Sequence, residues 1–174
     1  MDTTRKAIIW NQFGAAMDML ENAVRACPDD LWGDPSVKPE WKDNDVVGFW
    51  YVVYHTLFYL DFYLSDSAEG FAPPAPFTLG ELDPTGVLPD RVYTKAELLS
   101  YLEHGRKKCH ITLLALTDEK ARQRCGFPER DMSVAELLLY TMRHVQHHAA
   151  QLHLLLRQHT GSAPGWVSKA KSQL

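Results

Sequence analysis

The chain has 174 residues, 45% hydrophobic and 23% charged, enough apolar material for one ordinary core. Its formal net charge of −4 offers no broad attraction for a polyanion, which argues against nucleic acid as a partner. Cys27, Cys109 and Cys125 lack CxxC spacing, and the opening MDTTRKAIIW holds no apolar run of signal-peptide length, so the expected setting is the reducing cytoplasm.

A first helix is expected over 3–26, with Ile9, Phe13, Ala16, Met17 and Leu20 recurring at three- and four-residue spacing. Pro28 stops it, and 28–43, holding three prolines and two tryptophans, reads as a folded loop. The second helix is expected over 44–65, capped by Asn44 or Asp45. It carries GFWYVVYHTLFYLDFYL at 48–64, apolar almost all round. That run is shorter than the roughly 20 residues of a membrane span and contains His55 and Asp61, so it reads as a buried helix. Cover on more than one side points to a dimer interface. The carboxylate of Asp61 calls for a basic partner in the bundle or at that interface.

Residues 66–93 hold Pro73, Pro74, Pro76, Pro84 and Pro89, a density no helix tolerates. So long a connector suits a crossover along a bundle, with Phe71, Phe77 and Tyr93 as candidate walls of a pocket mouth. The third helix, over 94–116, opens on the capping box Thr94–Glu97, and the fourth, over 133–159, on Ser133–Glu136. A tail over 160–174 includes Trp166. With no repeat and no convincing strand, the expected fold is all-α: a single four-helix-bundle domain over 1–174 with long crossover connections.

The densest chemistry lies in the fourth helix, at Arg143-His144-Val-Gln-His147-His148-Ala-Ala-Gln151-Leu-His153. Residues four apart on a helix are about 40° apart around its axis, so His144 and His148 can address one ion. Gln151 continues nearly the same stripe. His147 lies beside it and can pair instead with His144 or Gln151, while His153 is rotated roughly 180° from His144. A third ligand must come from another helix. His55 leads, because an imidazole among Tyr54, Leu57, Phe58 and Tyr59 is costly to bury without a hydrogen bond or a metal. His104 and His110, in polar surroundings, and His159, at a helix end, are weaker candidates. Cys109 and Cys125 are further possible ligands, although small buried thiols usually just pack. No glutamate follows His144 as in HExxH, and the Glu-x-x-His pairs of di-iron bundles are missing. These absences leave a single divalent ion (zinc, nickel, copper or iron) with open positions.

Three function classes follow. In an enzyme, the ion would activate a thiol or water, with His147, Gln151 and Tyr59 as candidate catalytic residues beside it. In the second class the metal only staples helices in a dimeric binding or sensing module. The third is a metal-free histidine network in a bundle that binds an apolar ligand.

The second-helix WYVVYHTLFYLDFYL and the last-helix HVQHHAAQLHLLLRQ, in this order of elements, resemble the DinB-like superfamily, the DinB/YfiT-like metalloenzymes. Helix order matches along nearly the whole chain, while the specific likeness lies in those two segments. The resemblance implies an up-down-down-up bundle, frequent homodimers, and a divalent metal held by three histidines, here His55, His144 and His148. It also implies thiol-dependent transferase or isomerase activity on low-molecular-weight thiols. Ala149 and Ala150 depart from the pattern, since many relatives carry glycine or arginine before the glutamine.

Overall fold

The computed structural model describes residues 1–37 and 48–174. Its helices are α1 (Thr3–Ala26), α2 (Asp29–Trp32), α3 (Phe49–Tyr63), α4 (Lys95–Ala115), α5 (Asp118–Arg122) and α6 (Val134–Thr160), with a 3-10 turn at Leu79–Leu82. No strand occurs among the described residues, only isolated bridges between Ser67 and Gly126 and between Arg124 and Ser133. None of the described helices is long and apolar enough to cross a membrane.

Helix ends follow local chemistry. Asp2 caps α1 by accepting from the Arg5 amide at 2.8 Å. Both capping boxes form, Thr94 with Glu97 and Ser133 with Glu136. Gly161 closes α6 at φ 78°, a left-handed conformation that glycine adopts without strain. Elsewhere the expected bounds shift. Inside the stretch read as loop, Pro28 leads into α2, whose first turn carries Asp29 and Asp30 against the helix dipole. α3 begins at Phe49 rather than 44, behind an extended Gly48 without a side-chain cap, and ends at Tyr63. The caps expected at Asn44 and Asp45 lie outside the described residues. α5 starts from the Thr117 side chain accepting from the Lys120 amide at 3.0 Å. Too short and charged to show apolar periodicity, it escapes sequence reading.

α1 and α3 each pack against both α4 and α6, so the two pairs alternate around the bundle. Side-chain pairings give the directions. Tyr54, early in α3, meets Tyr93 just before α4 at 5.1 Å, whereas Asp61, late in α3, binds Lys108, late in α4, at 2.5 Å. α3 and α4 are therefore parallel. Trp10 meets His110, and Asp18 binds Arg106 at 2.9 Å, so α1 opposes α4. Tyr63 meets Tyr140 while His55 reaches His148, so α3 opposes α6. The order is up, down, down, up, and residues 64–94 must travel back along the bundle to start a parallel helix.

That return path covers α3. Phe71 lies 5.5 Å from Phe58 and 5.1 Å from Phe62, and Phe77 stacks 4.3 Å from Tyr101. Phe77 and Tyr93 are buried in core packing and Phe71 lies partly buried against it; Phe77 also edges a cleft with Pro76, Tyr101 and His104, which holds none of His55, His144 and His148. Apart from the partly exposed His55 and Tyr59, α3 is thus covered by its own chain. Asp61, 1% exposed, finds its basic partner within the bundle in Lys108, with Tyr101 donating at 3.1 Å and His104 at 3.3 Å.

The tail docks on α1. The Ala170 amide donates to the Asn11 carbonyl at 2.8 Å, and the Lys171 amide to Asp18 Oδ2 at 2.8 Å. Trp10 Nε1 donates to the Ser172 carbonyl at 2.9 Å. Trp166 stays out, 72% exposed.

Candidate metal centre

Residues 55, 59 and 63 of α3 form one four-residue stripe, and 140, 144 and 148 of α6 another. Antiparallel packing sets His55 opposite His144 and His148. Nε2 of His144 lies 3.4 Å from Nε2 of His55 and 3.1 Å from Nε2 of His148. One ligand atom from each of the three lies within 4.8 Å of the others, a group able to hold a metal ion. Nitrogens held at about 2.0–2.1 Å around a tetrahedral zinc stand about 3.4 Å apart, so the donor spacing fits such an ion.

The outer nitrogens fix which way the lone pairs point. His55 Nδ1 faces Glu81 Oε2 at 2.7 Å, and His148 Nδ1 faces Gln151 Oε1 at 2.7 Å. Each Nδ1–H donates outward, which leaves the Nε2 lone pair inward. Burial first, then neighbouring His148, lowers the His144 pKa to about 3. Burial, then His55, lowers that of His148 to about 4. Both rings are neutral at physiological pH, the form a metal needs. The Nδ1 of His144 is buried with no partner among the described residues. If it carries that ring's proton, three lone pairs converge on one point, a repulsive arrangement that a cation relieves.

Glu81 was not anticipated from sequence. The turn at Leu79–Leu82 carries it to the cluster, where its side chain is 2% exposed. Three tyrosines of α3 anchor the turn. Tyr51 donates its hydroxyl to the Glu81 carboxylate, Tyr59 to the Glu81 carbonyl at 3.2 Å, and Tyr54 to the Thr78 carbonyl at 3.1 Å. A glutamate in a proline-rich connector has no periodic signature. Only Thr78, whose side chain caps the turn, marks a structured element there.

The other candidates divide. Gln151 orients His148. Tyr59 packs 4.9 Å from the His55 ring and 5.8 Å from that of His144, and burial, then Glu81, pushes its hydroxyl up to about 12. His147 is exposed, its ring 5.0 Å from His148, and it is not one of the converging three. His153 binds the Met19 carbonyl at 2.9 Å, and His159 binds Asp30 at 3.2 Å. Cys109 is buried in the core with its thiol pushed up to about 12, and Cys125 Sγ faces the Phe127 and Arg130 carbonyls. Neither cysteine joins the cluster. Beside His144 opens a cleft of about 590 Å³ edged by Gln12, Arg143, His147 and Trp166.

A family model described as the DinB superfamily matches residues 12–152, a span that takes in all three histidines. Comparison with curated proteins and with solved structures gives no match.

Proposed function

The chain belongs to the DinB superfamily, and from that premise we propose that His55, His144 and His148 bind one divalent metal ion in an enzyme that activates a low-molecular-weight thiol or water. The observation that carries this reading is the convergence of three imidazoles while Glu81 and Gln151 hold two of the outer nitrogens. An ion held by three neutral ligands keeps its full charge and lowers the pKa of water or a thiol at an open position.

This chain's own residues supply the rest. Glu81 and Gln151 keep their imidazoles oriented and basic. Tyr59 stays protonated at neutral pH and walls the site. His147, exposed at the cleft rim, is positioned to exchange a proton with an entering substrate. Three imidazoles accept several ions, so zinc, nickel or iron would serve according to supply. The proposal takes the protein as a cytoplasmic homodimer. Three free, buried thiols accord with reducing surroundings, and sedimentation velocity tests the dimer.

The second reading is a non-catalytic staple between α3 and α6. Against it, no fourth histidine, cysteine or carboxylate closes the group among the described residues. Metal analysis of tag-free protein, repeated on His144→Ala and His148→Ala, tests both. Each variant should lose stoichiometric metal. Chelator-sensitive thiol transfer would identify the enzyme, bound metal without activity the staple, and wild-type protein free of metal would overturn both.

A further inference from the structure

The two stripes that carry the histidines do not stop at them. Tyr63 follows Tyr59 on α3, their rings 5.6 Å apart, and faces Tyr140, one turn before His144 on α6, at 5.5 Å. Arg130 closes the far end of this aromatic strip. Its guanidinium lies 5.6 Å from the Tyr63 ring centre and 5.0 Å from that of Tyr140, and Nη2 donates to the Tyr63 hydroxyl at 2.8 Å. The turn beneath is fixed by the Arg130 amide donating to the Phe127 carbonyl at 2.9 Å.

His55, Tyr59, His144, Tyr140 and Arg130 are each partly exposed, whereas their neighbours Leu57, Phe58, Leu137, Thr141 and Val145 are buried. The strip between α3 and α6 is therefore open to solvent at these five residues, with the histidines at one end, while Tyr63 and His148 on the same stripes are buried. At the other end sits the Arg130 cation, whose neighbouring carboxylate is that of Glu129. No carboxylate pairs with Arg130 among the described residues, and its Nε is buried without a partner. Guanidinium is matched to planar oxyanions through paired N–H donors.

We propose that Arg130 binds the carboxylate of the substrate whose reactive atom sits at the histidine cluster. The substrate class is then a small anionic molecule, its acid group one to two helical turns, about 5–11 Å, from the atom that reacts. Tyr59 and Tyr140, both partly exposed, flank the linking chain. This inference rests on the metal reading above.

The test uses cobalt-loaded full-length protein and thiols of matched length, 6-mercaptohexanoate against 6-mercaptohexanol, with 3-mercaptopropionate as the short acid. The thiolate-to-cobalt charge-transfer band reports binding at the ion. The long acid should bind about ten- to a hundredfold tighter than its alcohol, and the short acid should lose most of that preference because it cannot span the strip. Arg130→Gln should bring acid and alcohol level, and Arg130→Lys should restore part of the difference. Equal binding of long acid and alcohol to the wild type, or a preference that survives in Arg130→Gln, overturns the proposal while leaving the metal site intact. Failure to take up cobalt overturns the metal reading and this inference with it. If Arg130→Gln does not fold, the wild-type comparison still decides.

Discussion

Two imidazoles of the cluster, His55 and His148, are oriented by what their outer nitrogens touch. Glu81 engages His55 as a charged group, and a carboxylate behind a ligating imidazole raises the basicity of the ring and holds it in place. Glu81→Ala should therefore weaken metal binding about 10–100-fold, measured by competition with a chromophoric chelator, and Glu81→Gln should fall between the two. Unchanged affinity in Glu81→Ala would mean that the 2.7 Å contact contributes nothing to the site. The depressed pKa values of His144 and His148 make a second prediction. Folding lowers them from 6.5 to about 3 and about 4, so between those values the unfolded chain binds more protons than the folded one. Stability of the metal-free protein is then complete above about pH 6.5 and falls as pH drops through that window. Thermal melts in chelator should show the fall, and replacing both histidines with asparagine should flatten it.

At the scale of elements, the docking of the tail depends on one missing methyl group. A Cβ on Gly14 would stand 2.5 Å from the Cβ of Ala170, closer than carbon atoms approach, and Ala170 is the residue whose amide binds the Asn11 carbonyl. Gly14 sits within α1, where alanine is favoured by about 1 kcal/mol on helix propensity alone. Gly14→Ala should nonetheless release the tail, seen as faster proteolysis near Lys169 and Lys171, and Ala170→Gly in the same chain should restore protection. Protection unaltered in the single variant would show that the tail adjusts without undocking. The same close fit explains why a tail of exposed, polar character is ordered at all. Five hydrogen bonds to α1, the buried Ala170 and the partly buried Val167 and Leu174 hold it, without Trp166.

For the molecule as a whole, the metal reading joins two helices whose ligands stand 89 residues apart. An ion that binds only the folded arrangement stabilises it by mass action, about 4 kcal/mol at a thousandfold excess over the dissociation constant. For a chain of this size each kcal/mol moves the melting temperature by roughly 2–4 °C. Saturating zinc should thus raise it by roughly 8–16 °C, and His144→Ala should abolish the shift. A zinc shift that persists in His144→Ala would place the ion elsewhere.

What the sequence determined by itself was local or periodic. Capping boxes act within four residues, so the starts of α4 and α6 could be read directly. The stripe of His144, His148 and Gln151 follows from helical rotation alone, and the apolar surroundings of His55 already made it the leading third ligand. Only the tertiary structure decided which groups meet across the bundle. Glu81 arrives on a connector with no period to betray it, Lys108 is selected for Asp61 because α3 and α4 run parallel, and Arg130 reaches the tyrosines from a turn. Aromatic character marked Phe71, Phe77 and Tyr93 as candidate walls of a pocket mouth. That Phe77 and Tyr93 instead became buried packing depended on the return path over α3, and loop paths are set by contacts far apart in the chain rather than by any local rule.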